Sequence, residues 1–84
     1  MIESSVLERV QALVVDIAGP DRTPPSVGPD TQLVNGGFWL DSVSMLEVII
    51  ACEAQFGIVF SQTDLTRQSV ATVRNLANLI ESRC

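Results

Sequence analysis

Apolar residues recur at helical spacing in three separate stretches of the chain. In the first, Val6, Leu7, Val10, Leu13, Val14 and Ile17 share one face, the spacing of an amphipathic helix. They predict a helix over residues 3–18. Glu3 and Glu8 suit the positive pole of its dipole, and Gly19-Pro20 stops it. In the second stretch, residues 42–56, Met45, Leu46, Ile49, Cys52 or Glu53, and Phe56 recur at the required intervals. A different stripe, Val43, Glu47, Ile50 and Ala54, is partly charged. Periodicity leaves two readings of it open: an exposed apolar–acidic face, or part of a helix buried nearly all round. Gly57 ends this helix. In the third stretch Val73, Leu76, Ala77 and Ile80 form a clean stripe, with Ser69 or Thr72 as its cap and Arg83 near its negative pole.

The segments between are of two kinds. Residues 19–41 hold Pro20, Pro24, Pro25, Gly28, Pro29, Gly36 and Gly37, which exclude a regular helix over most of their length. Val27, Leu33, Val34, Phe38, Trp39 and Leu40 are its apolar anchors, and Leu33 is expected to dip into the core. Asp30-Thr31-Gln32-Leu33 is expected to form one helical turn capped by Asp30. After Gly57, Ile58-Val59-Phe60 reads as extended. Ser61-Gln62-Thr63-Asp64 resembles a capping box with Asp in place of Glu, which predicts a short helix over about 61–67. The fold class is therefore all-α: a small four-helix bundle of three main helices and a short third one, with a long first loop. Residues 1–84 form a single domain on this reading, with no internal repeat and no alternating strand pattern.

Composition narrows the chemistry. The 84 residues carry a net charge of −5, from ten acids and five arginines, and an acidic surface disfavours nucleic acid. Positions 23–66 hold Asp30, Asp41, Glu47, Glu53 and Asp64 and no basic residue, so basic partner proteins are the natural complement. Without histidine or lysine, His-based triads, imidazole ligands, Schiff bases and P-loops are unavailable. Cys52 and Cys84 make neither a disulfide framework nor a zinc site; Cys52 is expected to pack as a small hydrophobe. There is no leader-like or membrane-spanning apolar run, so a cytoplasmic, monomeric protein away from the membrane is the expectation.

One hydroxyl remains as candidate chemistry. Ser42, preceded by Asp41, opens the second helix. At a helix start several backbone N–H groups lack partners and the dipole favours an anion. A phosphodiester on Ser42 would sit in that field. The Asp41 carboxylate suits a divalent ion brought by a modifying enzyme. On these features alone, the plain helix cap is the better reading of Asp41-Ser42, since Asp-Ser before an apolar run starts many helices.

Leu40-Asp41-Ser42-Val43, then Leu46-Glu47-Val48-Ile49, then Glu53-Ala54-Gln55-Phe56-Gly57-Ile58, together resemble the acyl carrier protein family. The similarity covers nearly the whole chain, including the order and placement of helices. It implies a 4′-phosphopantetheine arm on Ser42, transferred from coenzyme A by a phosphopantetheinyl transferase, with Asp41 as part of the modification motif. It implies a carrier that catalyses nothing itself. Its partners would be an acyl-loading ligase or acyltransferase, and a ketosynthase or other acyl-processing enzyme. Val43, Glu47, Ile50 and Glu53 match the family's partner-recognition helix.

The chain departs from that pattern at Gly36-Gly37-Phe38-Trp39-Leu40, where the family's glycine two residues before the aspartate is missing. Ser61 stands where a proline commonly follows the extended stretch. These departures favour a dedicated carrier of a polyketide, fatty-acid-like or other specialised pathway, and the short tails at both ends lead to the expectation that it is freestanding. An aminoacyl carrier, D-alanyl-like or peptidyl, is the alternative, and a helical interaction module without the arm is one of another class. A small enzyme using Ser42 as nucleophile is a third reading, disfavoured because nothing in the chain could serve as its usual base. Trp39 is read as an anchor pinning the loop to the bundle, against the alternative of an aromatic wall beside the arm. Met45 and Leu46 are read as core rather than cargo contacts, as are Leu33, Ile49, Ile58 and Leu76.

Overall fold

The computed structural model describes residues 5–34 and 36–83. It holds three helices: α1, Val6–Ala18; α2, Ser42–Phe56; and α3, Val73–Arg83. α1 packs against both of the others. Among the described residues there is no strand, only one isolated antiparallel bridge between Gln32 and Thr72. The all-helical expectation holds, and the bounds of α2 are those the sequence predicts.

The start of α1 is set by Ser5. Its hydroxyl accepts from Glu8 N (3.1 Å), and the Glu8 carboxylate accepts from Ser5 N (3.1 Å), which closes a capping box. Glu3 and Cys84 lie outside the described residues. Gly19 ends the helix at φ 77°, in the left-handed region that glycine enters without a Cβ clash.

The expected short helix over 61–67 is replaced by turns. Ser61 and Asp64 do make capping-box bonds: Ser61 N donates to Asp64 Oδ2 (2.9 Å) and Asp64 N to Ser61 Oγ (3.3 Å). Thr66 and Ser69 then repeat the exchange (2.9 and 3.0 Å). Two successive side-chain-to-backbone exchanges compete with the helical ladder and stop it propagating. Ser69 is spent here, and Thr72 caps α3 by accepting from Asn75 N (3.1 Å). Arg83 reaches back to Asp64.

The long loop departs from its expected helical turn as well. Asp30 caps nothing and pairs with Arg74 (3.0 Å). The backbone here runs alongside the start of α3 instead. Leu33 N donates to Ala71 O (2.9 Å), Val73 N to Thr31 O (3.2 Å) and Arg74 N to Pro29 O (2.7 Å). Loop carbonyls thus satisfy N–H groups that a helix start leaves without partners. The loop then doubles back, with Phe38 N on Gln32 O (3.0 Å) and Leu40 N on Leu33 O (2.8 Å). Gly37 makes this reversal possible: its φ is 55°, and a Cβ there would lie 2.3 Å from Gln32 O.

The core comprises Val10, Leu13 and Val14 of α1, Val48, Ile49 and Cys52 of α2, Val73, Leu76, Ala77 and Ile80 of α3, and Leu33, Phe38, Leu40 and Phe60 from the connections. Phe38 is the largest fully buried side chain. The anchor of the loop is therefore Phe38, and the expectation for Trp39 is overturned: Trp39 is 67% exposed. Both cannot enter the core from adjacent positions of a tight reversal. On α2 the buried line runs through Val48, Ile49 and Cys52, and Leu46 is 58% exposed. The inward face is thus rotated by about one residue from the expected one, which resolves the choice at 52 and 53 in favour of cysteine. Phe38→Ala is expected to cost about 3–5 kcal/mol, read as a lowered urea midpoint. A loss below about 1 kcal/mol would show that the loop is not held by this ring.

Candidate functional site

Asp41 is the N-cap of α2. It is extended (φ −82°, ψ 178°), and its Oδ1 accepts from Ser44 N at 2.7 Å while its carbonyl accepts from Met45 N at 2.9 Å. Ser42 is the first helical residue and is exposed. Among the described residues, neither its hydroxyl nor the N–H groups of Ser42 and Val43 have a hydrogen-bond partner. The 15-residue helix directs its positive pole at this point. The cap therefore serves the third and fourth N–H groups and leaves the first two facing solvent beside a free hydroxyl.

The bond from the Ser44 backbone holds the Asp41 carboxyl below its ordinary value, with help from the Ser44 hydroxyl and the charge of Arg22. Asp64 is lowered similarly, first by the Ser61 backbone and then by Arg83. Arg22 is a residue that sequence reasoning missed. It lies 19 positions before Asp41, yet its Nη2 is 3.7 Å from Asp41 Oδ2 and its Nη1 donates to Ser44 Oγ at 2.9 Å. No local signal joins the two; only the path of the loop does.

A groove of about 500 Å³ opens beside Ser42. Val34, Leu40, Met45, Leu46, Ile49, Leu65 and Val70 line it, and Ser42 is its one polar residue. Met45, Leu46 and Ile49, expected in the core, thus contribute to this wall, while Leu33 and Leu76 are fully buried and Ile58 packs partly against the core. Trp39 is not among the lining residues. A smaller cleft of about 350 Å³ lies by Thr66, Ser69 and Asn75 and contains none of the candidate residues.

The stripe left open by periodicity is outward. Val43 (69% exposed) and Ile50 (55%) flank an exposed Glu47, with Ala54 beyond. Glu53 is different: it is half-buried, and its Oε2 accepts from Phe60 N at 2.8 Å, tying the extended stretch to α2. Cys52, the buried thiol, is pushed up to about 11 by burial and then by the nearby charge of Glu53. Among the described residues, no cluster of His, Cys, Asp and Glu is arranged to hold a metal ion, and no helix is long and apolar enough to cross a membrane.

The chain matches the family described as phosphopantetheine attachment site over residues 8–80. It is 33% identical over 79 residues to an acyl carrier protein of Solidesulfovibrio magneticus, a span of 94% of this chain and 95% of that protein. It is 26% identical over 76 residues to aminoacyl carrier protein 2 of Bradyrhizobium diazoefficiens, a span of 90% of this chain and 83% of that one.

The depressed Asp41 carboxyl has a pH signature. A lowered folded value contributes stability above the unfolded value, about 3.9, and loses it as pH falls through the folded one. Asp41→Asn is expected to be less stable than the parent at pH 7. The gap should persist down to about pH 4 and close on further acidification. Urea midpoints across pH 7 to 2 test this; a gap that stays constant in acid would mean the charge contributes nothing.

Proposed function

The chain belongs to the phosphopantetheine-attachment family that includes the acyl carrier proteins, and from that membership we propose that Ser42 is where its arm is attached. The group attached in this family is 4′-phosphopantetheine, held covalently. When attached, its terminal thiol holds acyl groups as thioesters. The carrying observation is the exposed hydroxyl of Ser42 at the open end of α2, without a hydrogen-bond partner among the described residues.

The residues present fit such a group. The free N–H groups of Ser42 and Val43 and the helix dipole favour a phosphodiester anion at that oxygen. Asp41 holds the backbone of the first turn through Ser44 and Met45, so a modifying enzyme meets Ser42 on a fixed helix start. The second oxygen of Asp41 is paired with Arg22 at 3.7 Å, an exposed contact that a divalent ion on that enzyme would have to displace.

The chain acts as a substrate of other enzymes rather than as a catalyst. Its partners are a phosphopantetheinyl transferase, a loading ligase or acyltransferase, and a ketosynthase or other acyl-processing enzyme, all cytoplasmic. Val43, Glu47 and Ile50 form the docking face on α2, with Glu53 adding charge from its edge. The apolar lining of the groove favours an acyl cargo of a specialised, polyketide or fatty-acid-like pathway. An aminoacyl cargo is the second reading, favoured by the name of the Bradyrhizobium relative.

Incubation with coenzyme A, magnesium and a broad-specificity transferase is expected to add one phosphopantetheine mass to the parent and none to Ser42→Ala. An unchanged parent mass, with the transferase active on a control carrier, would overturn the attachment. Glu47→Lys is expected to raise KM for a partner enzyme about tenfold, equivalent to about 1.4 kcal/mol. As an exposed substitution it should change stability by no more than about 0.5 kcal/mol. An unaltered KM would remove Glu47 from the docking face.

A further inference from the structure

The chain's five arginines are placed unevenly. Arg9 stacks on the Phe56 ring, 4.4 Å from its centroid, at the far end of α2. Arg74 is paired with Asp30 and Arg83 with Asp64, and Arg67 lies in the α2–α3 connection. Arg22 alone reaches the head of α2, and the carrier role as stated leaves it without a task.

Its position is built rather than incidental. The Gly19 carbonyl accepts from Arg22 N (3.3 Å), Thr23 N (3.1 Å) and Thr23 Oγ1 (2.7 Å). This tight turn fixes the backbone of Arg22 to the end of α1. From there the guanidinium spans to Asp41 and Ser44, the residues on either side of Ser42-Val43. Both contacts are easily exchanged. The side chains of Arg22 and Asp41 are 42% and 60% exposed, and solvent screens such a pair so that it holds only weakly. Asp41 also offers only one oxygen, since the other serves Ser44 N. A phosphodiester on Ser42 would place two unesterified oxygens in the same neighbourhood. The planar fork of a guanidinium matches such a pair better than it matches one carboxylate oxygen and a hydroxyl.

We propose that Arg22 is the arm's phosphate partner in cis: its guanidinium rests on Asp41 and Ser44 in the unmodified chain and moves onto the phosphodiester once Ser42 is modified. The proposal rests on attachment at Ser42. Its consequence is a change of face. The transferase meets Asp41 covered by a cation, and every later enzyme meets Asp41 bare.

The test uses unmodified and modified forms of the parent, Arg22→Gln and Arg22→Lys, with intact mass recorded for each. Both substitutions are at an exposed side chain, so all three chains are expected to fold. Modification is expected to raise the parent Tm by about 4 °C more than it raises that of Arg22→Gln, with Arg22→Lys between them. The 31P resonance of the modified parent is expected to move as NaCl is raised, and that of Arg22→Gln to stay in place. Equal Tm increments in the three chains, or superposable 31P titrations in parent and Arg22→Gln, would overturn the proposal. A parent that gains no mass would overturn the attachment itself, and the mass spectrum separates that failure from the failure of Arg22.

Discussion

The head of α2 depends on three backbone hydrogen bonds made elsewhere, those joining Leu33 to Ala71, Val73 to Thr31 and Arg74 to Pro29. Ordering a loop costs about 1–2 kcal/mol per residue in backbone entropy, and a buried loop must also satisfy its polar groups. Both demands are met at one seam. The loop's carbonyls cap α3, the N–H of Leu33 finds Ala71, and the chain between is free to bury Leu33, Phe38 and Leu40. What would otherwise be a slack connection becomes a strut, and Leu40-Asp41 leaves it at a fixed point. Weakening the seam would therefore be felt at Ser42 without touching Ser42.

α2 divides its apolar residues between two tasks. Val48, Ile49 and Cys52 close the core, while Val43, Leu46 and Ile50 stay exposed although equally apolar. Leu46 lines the groove beside Ser42, and Val43 and Ile50 flank Glu47 on the outer side. Burial in the core accounts for none of these three exposed aliphatic residues. Glu53, by accepting from Phe60 N, holds the following segment against the helix.

Much of this was legible in the sequence because it is written locally. Helix α2 begins at Ser42 and ends before Gly57 through residues adjacent to its ends, and the α3 stripe of Val73, Leu76, Ala77 and Ile80 is amphipathic enough to fix its own inward face. The family resemblance rests on the same local text. The misreadings arise where the outcome depends on residues far apart. Which of Phe38 and Trp39 enters the core is decided by the reversal at Gly37 against Gln32. Whether Leu46 or Val48 faces inward on a helix apolar nearly all round is decided by where α1 lies. The capping bonds at Ser61-Asp64 do form, but Thr66 and Ser69 compete with the helix they would start. Arg22 was invisible because nothing near it in sequence concerns α2.

The burial of Cys52 also bears on the safety of a cargo. A thioester is open to attack by thiolates and by free amines. Cys52 lies fully inside the core with its thiol pushed up to about 11, so near neutral pH it is protonated as well as out of reach. The chain has no lysine to supply an ε-amine and no histidine to supply an imidazole. Throughout the described residues, the protein surface around the arm is chemically inert toward what the arm would hold. A bound acyl group would meet no thiolate and no side-chain amine from these residues.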